Sequence, residues 1–257
     1  MAQTTVWLDR MTSPQVGEAL KRGYHTVLLA VGSTEQHGPH LPLGTDSLIG
    51  DKLVERVAQK LGKTLVAPTI RVGCSEHHMA YAGTMTLREE VLEEVIVDCC
   101  RSLSRHGFRF IVLIPTHGGN VKTVMRAAER LARESLSAKV LSYLDNSIWI
   151  AAMVEIGDKH GVTPGEAGGH AGHLETSIML ADYPEIVDME KAARGKVDLG
   201  YDAEDQLHEL GMHNLSPVGI LGDATRATAE AGRDYNDYIV NKVVELIREA
   251  LEKVTRS

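Results

Sequence analysis

The chain has no apolar run approaching the ~20 residues that a bilayer-spanning helix needs. Its N-terminal stretch, MAQTTVWLDRMTSP, has no basic segment followed by an apolar one, so no secretory signal is expected. There is no excess of positive charge: 27 Lys and Arg stand against 35 Asp and Glu, a formal net charge of −8. That balance argues against nucleic acid, whose phosphates demand a basic face, and against an anionic membrane surface. Cysteine is scarce. Cys74, Cys99 and Cys100 are odd in number and two of them are adjacent, so no disulfide framework is expected and the cytoplasm is the default compartment. Internal repeats, low-complexity linkers and a P-loop are also missing.

What remains is a chain of 257 residues, 43% hydrophobic, long enough for one large core and read as one domain over residues 1–257. Short apolar runs bounded by Gly, Pro or polar residues predict strands at Thr26–Val31, Thr64–Ile70, Phe110–Ile114 and Lys139–Tyr143. Helices are expected at Ser47–Leu61, Arg88–His106, Val121–Ser135, Ser147–Lys159 and about Ala227–Val254. In the second of these, Val91, Leu92, Val95 and Ile96 recur at helical spacing among Glu89, Glu90, Glu93 and Glu94. Those acids read most simply as a solvated face near a helix N-terminus. Alternation of strand and helix predicts an α/β fold with a mostly parallel sheet between helical layers, and ligands in such sheets bind outside the carboxyl ends of the strands.

Chemistry-bearing residues gather where that rule directs attention. The first strand runs into GSTEQHGPHLPLGTDSLIG, which carries Glu35, His37, His40 and Asp46. In an extended Glu-x-His segment both side chains share a face, although a solvent-exposed loop pair would look the same. Asp46 fits a helix N-cap equally well. The third strand ends in Thr116-His117-Gly118-Gly119-Asn120, where His117 could simply occupy a tight turn. A third cluster, GGHAGHLETS, carries His170, His173 and Glu175; the last could merely compensate a helix dipole. Together, His37, His117, Glu35, Asp46 and Glu175 form a mixed His/carboxylate set suited to zinc, manganese or iron(II). Five such residues exceed the needs of one open zinc site and fit a pair of ions sharing a carboxylate.

The pieces VGSTEQHGPHLPLGTD, EHHMAYAGTMTL, THGGN, GGHAGHLETSIML and GDATRATAEAG, spread over most of the chain, resemble the creatininase family of metal-dependent amidohydrolases. The resemblance implies a three-layer α/β/α fold, a homohexamer and two divalent ions per chain that activate water for attack on a carbonyl carbon. Carried over by motif, Glu35 and His117 would bind one ion, His37 and Glu175 the other, and Asp46 would bridge them. His170 would carry a proton to the leaving group. The substrate would be a small molecule, a cyclic amide or formamide whose C–N bond, not a peptide bond, is cleaved. His78, Tyr81 and Glu166 are candidates for binding it. Creatininases proper follow their metal-binding histidine with an aromatic residue and a glutamate; Gly118 and Gly119 stand there in this chain. They also enclose creatinine between two tryptophans, at positions matching Leu144 and Glu166 here. Without those aromatic faces, stacking of order 1 kcal/mol per contact is lost, so a substrate other than creatinine is expected. Two alternatives stay open: hydrolytic ring opening of an oxidised cyclitol at the same metal site, and a metal-binding subunit without turnover. His40 matches no ligand position and is read chiefly as structural.

Overall fold

The computed structural model describes residues 5–142, 147–198, 207 and 209–256. Four strands, β1 (Thr26–Val31), β2 (Thr64–Val66), β3 (Phe110–Pro115) and β4 (Lys139–Leu141), form a parallel sheet in the order β2-β1-β3-β4. Parallel neighbours require crossovers, and helices supply them: α2 (Thr45–Leu61) follows β1, α3 (Glu89–Arg105) precedes β3, and α4 (Val121–Ala132) joins β3 to β4. Strand side chains alternate between the two faces. Val27, Leu29, Val31, Ile111 and Leu113 pack beneath α3, α4 and Ala19 of α1 (Ser13–Lys21). Leu28, Ala30, Val112 and Ile114 pack beneath α2, α5 (Ser147–Lys159), α7 (His173–Asp182) and the long C-terminal helix Ala229–Arg256. A single turn, α6 (Pro164–Ala167), lies between α5 and α7. The result is the expected three-layer α/β/α arrangement. Among the described residues no helix is long and apolar enough to cross a membrane, and the three cysteines are free.

The boundaries differ from expectation where local chemistry intervenes. The second strand ends at Val66 rather than Ile70, because Pro68 has no N–H for the ladder; Ile70 returns to β1 only as a single bridge to Val31. Helix α2 starts at Thr45, ahead of the expected Ser47, with Gly44 as its N-cap. Asp46 therefore lies in the first turn and is not the cap. The sequence reading missed α1, which opens with Pro14 and a reciprocal Thr12/Gln15 capping box. The end of the expected fourth strand, Tyr143, lies outside the described residues, as does Leu144.

Strands β1 and β3 are central neighbours, and their last residues, Val31 and Pro115, are in register. The segments that follow them emerge side by side. Asn120 clamps the two: its Nδ2 donates to the carbonyls of Val31 and Gly32 at 3.2 and 2.9 Å, and its Oδ1 accepts from the Cys74 N–H. Thr116 adds a bond from its hydroxyl to the Asp46 carbonyl at 2.9 Å, holding the first turn of α2 against the end of β3.

Candidate active site

These constraints bring the five predicted ligands together. His117 Nδ1 lies 3.3 Å from Glu35 Oε1 and 3.3 Å from Asp46 Oδ2. His37 Nε2 lies 3.2 Å from Asp46 Oδ1 and 3.8 Å from Glu175 Oε2. Glu35, Asp46 and His117 thus form one group whose ligand atoms lie within 4.8 Å of one another, and His37, Asp46 and Glu175 form a second. Asp46 belongs to both, offering a different oxygen to each.

Each histidine is anchored on the side away from the carboxylates. His37 Nδ1 donates to the Glu35 carbonyl at 3.1 Å, and His117 Nε2 donates to the Cys74 carbonyl at 3.1 Å. Such carbonyl anchors fix the ring and leave the other nitrogen free to bind a cation. The Glu175 carboxylate is positioned by Ala171, whose N–H donates to Oε2 at 2.6 Å from a buried backbone at φ 51.

The electrostatics are those of a site built around positive charge. Glu35, His37, Asp46 and His117 are buried, and both Glu35 oxygens together with Asp46 Oδ2 have no hydrogen-bond partner. Burial raises the Glu35 and Glu175 carboxyls, against the pull of His117 on the first and His37 on the second. Asp46 is driven the other way: burial opposes ionisation, but His37 and His117 hold its carboxyl well below the usual range. Burial would depress both imidazoles, yet Asp46 pushes His37 up to about 10 and Glu35 pushes His117 up to about 9. Protons on those rings occupy the electrostatic role that a bound cation would take over. Buried carboxylate oxygens without donors and imidazoles aimed at them are the donor set of a divalent-metal site, so the residues fit such ions.

His170 joins the rim. Its Nδ1 is 3.7 Å from Glu35 Oε1 and its Nε2 is 2.8 Å from the Gln36 carbonyl. Burial, reinforced by His37 and His78, holds its pKa well below the ordinary value. His78 is closer to the centre than a loop residue would suggest: buried, with Nε2 3.3 Å from Glu35 Oε1. His77 stacks on His117 at 5.6 Å between ring centroids. Tyr81 is half-buried and donates its hydroxyl to the Ser216 carbonyl at 3.0 Å. The Glu166 carboxylate caps α6 through Thr163 and pairs with Arg194 at 2.9 Å; the Arg194 bond leads the contacts that hold its pKa down to about 2. His40 bonds Thr176 Oγ1 at 2.8 Å and His173 bonds the Tyr235 hydroxyl at 3.2 Å, so each ties a loop or helix to the core rather than joining the cluster. The sequence reading missed Gln36, which is buried among His78, His170 and Gly219.

Gly119 explains one departure from the creatininase pattern. A Cβ there would come 2.5 Å from the Cys74 carbonyl oxygen and 2.6 Å from His117 Nε2. The backbone of this chain leaves no room for a glutamate at that position without displacing the histidine's anchor.

Known proteins resemble this chain in sequence and in fold. A peptidase acting on the mycofactocin precursor peptide, from Mycobacterium ulcerans, is 35% identical over 81% of this chain and 78% of its own length. The 3-dehydro-scyllo-inosose hydrolase of Thermotoga maritima is 28% identical over 97% of this chain and 85% of its own. A solved manganese form of creatininase superposes with a TM-score of 0.76 at 25% identity, covering 96% of this chain and 99% of that one. The profile of the family described as creatinine amidohydrolase matches residues 9–247. The chain belongs to the creatininase family of hydrolases.

Proposed function

We propose that this chain is a dinuclear metal hydrolase that cleaves an amide C–N bond in a small substrate. The observation that carries the reading is the pair of three-residue groups meeting at Asp46, with carboxylate oxygens buried and unbonded between them. Glu35 and His117 would hold one ion and His37 and Glu175 the other, with Asp46 a member of both groups. Bound there, divalent ions lower the pKa of water and polarise a carbonyl oxygen. The mixed nitrogen and oxygen donors accept zinc, manganese or iron(II).

The protein's own contribution is orientation and proton handling. The carbonyl anchors of His37 and His117 hold their other nitrogens toward the Glu35 and Asp46 carboxylates. His170, kept neutral by burial, has its Nδ1 turned to the cluster and is placed to take up a proton there and deliver it to the leaving nitrogen. Creatinine itself is disfavoured by Gly118 and Gly119 in place of an aromatic residue and a glutamate. Glu166, the one described position among the two matching the tryptophans, is committed to Thr163 and Arg194. Within amide chemistry, the 35% identity to a precursor-peptide peptidase favours an amide of a short peptide alongside the cyclic amides and formamides expected from the sequence.

Ring opening of a cyclitol ketone is the second reading, favoured by the inosose hydrolase matched over 97% of this chain. A screen of metal-reconstituted enzyme against short peptides, cyclic amides, formamides and inososes separates the two. Release of amine or ammonia supports the first reading. Turnover of an inosose with a blank amine assay supports the second. Elemental analysis finding only trace metal in active protein overturns both.

A further inference from the structure

Gln36 sits between two proposed metal ligands and contributes to neither group, yet it is buried and held on every polar atom. Its Oε1 accepts from the Gly38 N–H at 2.9 Å, and its Nε2 donates to the Gly219 carbonyl at 3.1 Å. Those two backbone partners are unambiguous, one a donor and the other an acceptor, so they fix which end of the amide is which. Gly219 has a φ of 69, and a Cβ on it would lie 2.1 Å from Gln36 Oε1. The amide therefore rests against bare backbone.

From this side-chain amide and the backbone carbonyl of the same residue the hydrogen positions on two imidazoles follow. His170 Nε2 lies 2.8 Å from the Gln36 backbone carbonyl oxygen, which can only accept, so Nε2 carries the proton. The 3.0 Å approach between that nitrogen and Gln36 Nε2 then joins two donors and is not a hydrogen bond. The second amide hydrogen goes instead to His78 Nδ1, at 2.9 Å, which must be bare. A neutral ring with bare Nδ1 carries its proton on Nε2. His78 Nε2 faces Glu35 Oε1 at 3.3 Å, and His170 Nδ1 faces the same oxygen at 3.7 Å. Both rings are the same tautomer, but they turn opposite edges to the cluster.

We propose that Gln36 is a positioning residue that sorts these imidazoles: its side-chain amide fixes His78 as the tautomer with Nε2–H on the side of Glu35, while its backbone carbonyl fixes His170 with Nδ1 bare on that side. His77, His78 and Glu35 form another group with ligand-like spacing, and this assignment removes His78 from the ligands of any ion there. His37, His117 and His170 are each anchored by a backbone carbonyl on the nitrogen turned away from the cluster, whereas His78 is anchored there by an amide donor. The consequence for metal binding rests on the dinuclear reading above, whereas the tautomers do not.

The test is long-range proton–nitrogen NMR on the full chain labelled with nitrogen-15 histidine, as purified and zinc-loaded. Peaks are assigned by their loss in His78→Asn and His170→Asn. The expected spectrum has both rings protonated on Nε2 only. A proton on Nδ1 of either ring overturns the proposal, whether or not the protein binds metal. In Gln36→Glu the donor becomes an acceptor, so His78 gains a proton on Nδ1 while His170, held by the backbone, is unchanged. Gly219→Ala keeps Gln36 but displaces its amide, and moves the His78 signal alone. A Gln36→Glu spectrum identical to that of the unsubstituted chain, or one in which both rings change together, overturns the proposal.

Discussion

Two ionic regions of this molecule obey opposite rules. Between α3 and α4, Arg126 reaches Glu89 at 2.7 Å and Glu93 at 3.3 Å, Arg130 reaches Glu94 at 2.6 Å, and Arg101 reaches Glu134 at 2.8 Å. Each of these charges has an opposite partner, and most of them are exposed to water. At the carboxyl ends of β1 and β3, Glu35 and Asp46 are buried, and both oxygens of the first and Oδ2 of the second lack donors. Exposed pairs of the first kind contribute little, because water and salt screen them. A buried unpaired carboxylate of the second kind is costly unless something compensates it. The difference teaches where to look for function: at the charges the fold leaves unsatisfied, not at those it has paired.

The sharpest way to break the comparison is Asp46→Ala. Both groups lose their shared member, so metal content by elemental analysis falls from the two ions per chain of the proposed site toward none and hydrolysis falls to background. Next, adding zinc or manganese to metal-depleted protein at 100–1,000 times the Kd stabilises the native state by roughly 3–4 kcal/mol. Thermal melts check this, and the Asp46→Ala protein shows no such rise. Gly119→Ala drives a Cβ against the Cys74 carbonyl and the His117 ring, costing about 1–3 kcal/mol as overpacking. Denaturant melts read that loss, and metal affinity falls with it because the His117 anchor shifts. Arg130→Ala, at the other extreme, leaves activity, metal content and melting temperature unchanged within error. Added salt masks whatever small effect remains.

The sequence reading anticipated this contrast unevenly. Residues 89–94 read as a solvated acidic face, and Glu89, Glu93 and Glu94 indeed pair with arginines on the surface. The polar loops at strand ends were legible because Gly and Pro interrupt apolar runs there, and the parallel-sheet rule sends both loops to one rim. Gln36 was not legible. Its partners His170, on the backbone carbonyl, and Gly219, on the side chain, are 134 and 183 positions away, and no local period reports such a contact. His78 looked like a loop residue near the substrate, because nothing in EHHMAYAG says that the chain folds back onto Glu35. Helix α1 was overlooked although Thr12, Pro14 and Gln15 carry its start signals, since its short apolar stripe buries only Ala19 completely. The early stop of the second strand was readable at Pro68, and the apolar run on either side outweighed it.

The groups that meet at Asp46 also have an order in time. Glu35, Asp46 and His117 are all made before the ribosome has passed the middle of the chain, and the elements that seat them are β1, β3 and the start of α2. Glu175 follows much later, on α7, which is packed chiefly against the C-terminal helix. A nascent chain holds every member of the first group while the second still lacks Glu175, so the two halves of the site become available one after the other during synthesis.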